Sequence, residues 1–162
     1  MFNFVWIFYL VFWETVGQCW HGHEIIGLEN LPDSGPALFV YYHMVIPIDF
    51  YFTHSKIVLY KNRRMKVVCD KFLFKVPGNK IFLEKFSNQL IICDKGFKCL
   101  LEAFEATPGS HDLCVDLLKQ GHILAISPGG TREALFSDNY EIIWGNRLGF
   151  AKVAVDAKVV SD

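Results

Sequence analysis

The sequence predicts an α/β fold, and three observations predict it. Two uninterrupted apolar runs, "ALFVYY" (37 to 42) and "HILAIS" (122 to 127), have strand length and no polar face, as strands covered on both sides do. Segments with helical spacing of apolar residues follow each of them. The chain therefore alternates strand and helix, which favours a sheet with helices on its faces over a bundle or a sandwich.

The elements can be justified in order. From Phe4 to Trp13 every residue is apolar or aromatic. At about 1.5 Å per residue the run falls short of a bilayer core, which takes about 20 residues. It has no basic leader and no small-residue cleavage site, so it does not read as a secretory signal. Residues 1 to 18 are read as a membrane-associated hydrophobic helix, either an interfacial anchor with its aromatics at headgroup level or the tail of a membrane helix whose beginning is missing. A buried amphipathic helix is the alternative. The folded domain is expected over residues 19 to 162.

Pro32, Asp33, Ser34, Gly35 and Pro36 mark a turn before the first strand run. His43 stands directly after that run. Pro47 fits the first turn of a helix continued by "IDFYFTHSKIVLYK", with Asp49 where a carboxylate favours the helix start. "KVVCDKFLFKVPG" reads as a strand and a turn. "SHDLCVDLLKQG" reads as a helix with Ser110 as N-cap and Gly121 as stop. "HILAIS" runs into the loop "PGGTRE", and "NRLGFAKVAVDAK" is an amphipathic helix before a strand begun by "VV". Active sites in such sheets lie beyond the carboxyl ends of strands, where both His43 and Gly129–Gly130 fall.

Hydrophobic residues make up 52% of the chain and the formal net charge is −1. No nucleic-acid partner is expected from that balance, and part of the apolar excess is expected to face lipid. The five cysteines, Cys19, Cys69, Cys93, Cys99 and Cys114, form no CxxC pair and are read as reduced thiols. His21 and His23 near Cys19 are read as a polar loop, so no metal site is predicted.

Two constellations carry chemistry. His43 titrates near neutral pH and can take a proton from an alcohol, while a nearby carboxylate, Asp49, can orient the imidazole and support the imidazolium. The competing reading is a packed histidine beside a helix-capping aspartate. In "SPGGTREALF", Gly129 and Gly130 let backbone N–H groups converge on an anion; Arg132 can meet a phosphate, and Glu133 can hold that arginine. The competing reading is an ordinary strand-to-helix turn. On residues alone both alternatives stand. No GxSxG elbow and no GxxxxGK[ST] loop is present, which disfavours a serine hydrolase and a P-loop nucleotidase.

The segments "HGHEIIGLENLPDSGPALFVYYHMVIPIDFYF" and "GHILAISPGGTREALFSDNYEIIWGNRLGFAKVAVDAKV", in that order, resemble the glycerolipid acyltransferases. Both the lysophospholipid-acyltransferase type and the diacylglycerol acyltransferase 2 group are included in this likeness. It implies a mixed sheet flanked by helices and transfer of a fatty acyl group from acyl-CoA to a glycerolipid hydroxyl. His43 and Asp49 would be base and orienter; Gly129, Gly130, Thr131, Arg132 and Glu133 would contact substrate. Glycine stands at 129 where phosphate-acceptor members carry glutamate, which favours a neutral acceptor such as mono- or diacylglycerol. The resemblance also implies an endoplasmic reticulum membrane setting with the catalytic domain facing the cytosol. Acyl-CoA would be a co-substrate, with no bound cofactor. Against the family pattern, residues 79 to 95 read as an insertion and the chain stops before a further strand, so a C-terminally truncated domain is expected. The alternative functional reading is therefore a catalytically silent, lipid-associated fragment of such an enzyme.

Overall fold

A computed structural model describes residues 4–71, 73–75, 101, 105–137 and 139–159. The expected insertion at 79 to 95 and the strand begun by "VV" lie outside the described residues, apart from Val159. Among the described residues four strands form one sheet: β1 (Ala37–Val40), β2 (Met65–Cys69), β3 (Ala106–Pro108) and β4 (Ile123–Ile126), in the order β1-β4-β2-β3. Each pairing among the described residues is parallel, where the resemblance implies a mixed sheet. The connections explain it. The chain crosses from β1 to β2 through α2 (Ile48–Lys61) and from β3 to β4 through α3 (His111–Lys119), and crossovers of this length return a strand in the same direction.

The pleat distributes the core. Alternate side chains of a strand face opposite sides, so Ile123 and Ala125 join Phe50, Ile57 and Met65 under α2. Leu124 faces the other way, into Cys114, Val115, Leu118, Val153 and Ala157. These come from α3 and from the last described helix, α5 (Gly149–Asp156); the short helix α4 (Thr131–Phe136) precedes it. Helices thus cover both faces of the sheet, which is why β4 reads as a continuous apolar run. Ser110 occupies the N-cap of α3 as expected, although its side chain makes no capping bond. Gly121 follows the helix at φ +85°, a left-handed conformation that favours glycine. Arg63 fastens the turn before β1, donating to the carbonyls of Pro32, Gly35 and Gly121.

The N-terminal apolar segment is helical, α1 (Phe4–His21), and packs on α2. Trp6, Leu10, Glu14 and Gly17 lie at helical spacing on the buried side, where a β-carbon on Gly17 would come within 2.9 Å of the Phe52 ring. Phe4, Ile7, Phe8, Val11 and Phe12 remain exposed. Among the described residues no helix is long and apolar enough to cross a membrane.

Between these helices sits His54, 2% exposed, with its ring near Trp6, Tyr9 and Phe50. Neither ring nitrogen finds a partner with good hydrogen-bond geometry. Burial pulls its pKa down to about 4, opposed by the Glu105 carboxylate and the Met65 backbone. The unfolded chain therefore binds a proton here before the folded one does. His54 costs no stability above about pH 6.5 and destabilises the fold as pH drops toward 4, by up to about 3 kcal/mol. Replacing His54 with leucine is expected to flatten the dependence of the urea midpoint on pH between those limits. An unchanged slope would refute the assignment.

Candidate active site

The register places two loops side by side. Val40 pairs with Ile126 at the carboxyl ends of β1 and β4, so His43 and Gly129 each lie three residues beyond a paired position. Tyr41 ties the strand ends together: its N–H donates to the Ile126 carbonyl at 3.1 Å. Burial pushes the pKa of its hydroxyl up to about 12, with the nearby Ser127 side chain opposing. Past Tyr42 the chain leaves the sheet, and Pro47 re-enters helix at the N-cap of α2.

His43 is half-buried in this loop. Its Nδ1 lies 2.7 Å from the carbonyl of Met44. A carbonyl only accepts, so the bond requires the proton on Nδ1 and leaves the lone pair of a neutral ring on Nε2. Asp49 sits exposed in the first turn of α2 and makes no hydrogen bond to His43. Its charge is felt instead at His23, whose pKa is lowered mainly by burial and then by Lys56, with Glu14 and Asp49 opposing. The tautomer assigned in the sequence reading to Asp49 is thus held by a backbone carbonyl.

The second loop turns at Gly129 and Gly130 into α4. Gly130 adopts φ +53° and ψ −142°, which a side chain would strain. Thr131 and Arg132 are exposed on the first turn of α4. Glu133 points inward and is 1% exposed. The backbone N–H of His43 donates to its Oε2 at 3.0 Å, and the Trp144 indole N–H to its Oε1 at 2.8 Å. The expectation that Glu133 would hold Arg132 is therefore corrected: its carboxylate accepts from neutral donors of two other segments. Arg132 makes no side-chain bond among the described residues, whereas Arg147 donates to the Gly129 carbonyl at 3.1 Å.

Gly129 is obligatory at this junction. A β-carbon there would lie 2.0 Å from Cδ of Glu133, so the carboxylate can lie under the turn only because residue 129 has no side chain. The structure joins His43, Glu133 and the two glycines into one unit and leaves Asp49, Thr131 and Arg132 at the surface around it. The sequence pattern gave Trp144 and Arg147 no role in the site; both lie in the second segment that carries the family resemblance, and Arg147 also in the run read as an amphipathic helix. Among the described residues no three histidine, cysteine, aspartate or glutamate side chains come together as a metal site.

The Acyltransferase family profile matches residues 23–161. The chain is 48% identical over 148 residues to the "DGAT1/2-independent enzyme synthesizing storage lipids" of Bos taurus, covering 91% of this chain and 39% of that protein. The protein of that name from Homo sapiens is 47% identical, with 91% and 40% covered. "Phytyl ester synthase 2, chloroplastic" of Arabidopsis thaliana is 27% identical over 143 residues, covering 86% and 19%. The chain spans about two fifths of the length of the storage-lipid relatives. No solved structure matches. With a profile match that takes in both loops and the sheet between them, the chain belongs to the Acyltransferase family.

Proposed function

We propose that the chain carries the catalytic site of a membrane-bound, acyl-CoA-dependent O-acyltransferase that esterifies a glycerolipid hydroxyl, such as that of mono- or diacylglycerol. The observation that carries this reading is the Nδ1–Met44 hydrogen bond, which leaves His43 Nε2 as the basic atom of the neutral ring. Nε2 takes the proton from the acceptor hydroxyl as its oxygen attacks the thioester carbonyl. Backbone N–H groups of the Gly129–Gly130 turn stabilise the developing oxyanion. Collapse of the adduct forms the ester and expels the CoA thiolate, which takes the proton back from the imidazolium. Asp49 lowers the energy of that imidazolium at a distance, and Thr131 and Arg132 meet the substrate at the surface. No bound cofactor enters this chemistry, because acyl-CoA is a co-substrate.

The neutral acceptor is supported by the glycine at 129 and by relatives whose names speak of storage-lipid and ester synthesis. The exposed apolar face of α1 supports attachment to a membrane surface, and the proposed setting is the endoplasmic reticulum with the site toward the cytosol. The test is to supply membranes carrying the chain with labelled oleoyl-CoA and either monoacylglycerol or diacylglycerol, and to follow the ester formed. Because Asp49 does not set the tautomer, Asp49→Asn is expected to reduce the rate by about 10-fold, far below the ~10⁴ lost where a carboxylate fixes it. Absence of acyl transfer to either acceptor overturns the reading.

A further inference from the structure

We infer that the cavity beside the His43 loop binds a second, unreacting hydroxyl of the acceptor, and that Ser137 is the residue that selects it. This rests on the reading of the chain as an O-acyltransferase and narrows its preferred acceptor to a lipid with two free hydroxyls, such as a monoacylglycerol. The cavity measures about 200 Å³. Tyr42 and Met44, the neighbours of His43 on either side, line one wall, and Glu133 and Ser137, at the end of α4, line the other. Tyr140 closes it, with its ring 5.6 Å from that of Tyr42. At this volume it takes a head group and not a fatty chain, since pockets for whole drug-sized ligands run from about 300 to 1,000 Å³. Val45 and Tyr140 in the lining are largely exposed, so the mouth is apolar and the chain of a lipid leaves outward past them.

Ser137 carries the argument. Its Oγ is buried and has no hydrogen-bond partner among the described residues, whereas its backbone N–H already donates to the Glu133 carbonyl. A buried hydroxyl left unpaired is costly, so a ligand group that pairs it is favoured. The Glu133 carboxylate has used one lone pair on each oxygen, for the His43 N–H and the Trp144 indole N–H, and can accept further bonds. An alcohol serves both residues at once: it donates its proton to the carboxylate and accepts from the Ser137 hydroxyl. An ester or ether oxygen has no proton to give the carboxylate, and a phosphate would bring a second negative charge against it. No lysine, arginine or histidine is among the described residues that line the cavity, which also suits a neutral group. Because the same carboxylate anchors the His43 backbone, a hydroxyl seated here lies beside the loop of the base, and the other hydroxyl of the head group is the one presented to the ring.

The test reads binding without turnover. In detergent micelles, 1-O-hexadecylglycerol, with two hydroxyls, is compared with 1-hexadecanol, with one. The unsubstituted chain is expected to bind the diol about ten-fold more tightly, the scale of one net hydrogen bond. Ser137→Ala is expected to remove that preference by weakening the diol alone. Ser137→Cys, which keeps the volume and donates poorly, should do the same. Ser137→Thr is expected to keep the preference, because it retains the hydroxyl and residue 137 has the extended backbone (φ −99°, ψ 122°) that a β-branched side chain accepts. Equal binding of the two ligands by the unsubstituted chain, binding of neither, a preference that survives in the alanine and cysteine variants, or an equal loss for both ligands overturns the seat. A chain that prefers the diol yet forms no ester from labelled oleoyl-CoA keeps the seat and loses the O-acyltransferase reading. Ester formation without the preference does the reverse.

Discussion

Substituting alanine for His43 is expected to lower acyl transfer by on the order of 100-fold or more, the contribution of a positioned general base. The structure makes this a clean experiment. Glu133 holds the backbone N–H of residue 43 and not its ring, so every substitution there except proline keeps the anchor. The imidazole is half-buried and, among the described residues, bonds only to the neighbouring carbonyl. The thermal midpoint of His43→Ala is therefore expected to stay close to that of the unsubstituted chain while the initial rate with labelled oleoyl-CoA collapses. A variant that folds and retains normal turnover would remove His43 from the mechanism.

The second large effect is expected at Gly129. An alanine β-carbon would overlap Glu133 Cδ at 2.0 Å, a separation no relaxation of a few tenths of an ångström relieves. Either the turn moves, or the carboxylate is expelled from a site where it is 1% exposed. In the second case the His43 N–H and the Trp144 indole N–H both lose their acceptor. Unsatisfied buried donors cost about 1–3 kcal/mol each, so Gly129→Ala is expected to destabilise by about 2–5 kcal/mol. Activity should fall with it, because the loop bearing His43 is released. Chemical denaturation of the variant checks the first claim and initial rates the second. An unshifted denaturation midpoint would show that Glu133 does not hold the two loops together.

Much of the architecture could be read from local pattern. "IDFYFTHSKIVLYK" coincides with α2 because Pro47 and Asp49 mark its start and the apolar spacing sustains it. β1 and β4 were legible as apolar runs because helices cover both faces of the sheet. β3 was missed: Ala106–Pro108 is three residues ending in proline, and its pairing with β2 gives it strand character that its own composition does not. The turn of helix at Thr131–Phe136 was hidden in the same way by the Pro-Gly-Gly that precedes it.

The site was legible in its members and not in its wiring. His43 stood out as a titratable residue at a strand end, and the glycine pair as a loop after another strand. That Glu133 would serve His43 and not its neighbour Arg132 depends on a contact 90 residues distant in sequence. No local spacing reports it. The arginine beside Gly129 is Arg147, brought back by the chain that returns from α4 to α5. Nearness in sequence favoured Arg132; the fold favours the residue whose segment lies against the turn.

The bond between His43 and Glu133 also sets a timetable. At about 5–20 residues per second, a ribosome needs roughly 5–20 s to make the 90 residues that separate donor from acceptor. Until then β1 lacks β4, its only neighbour in the sheet among the described residues, and the His43 loop lacks its anchor. α1 and α2 are already complete by that stage, and their contact is local enough to form early. A nascent chain therefore presents its aromatic helix pair first and anchors the His43 loop only after Glu133 has emerged.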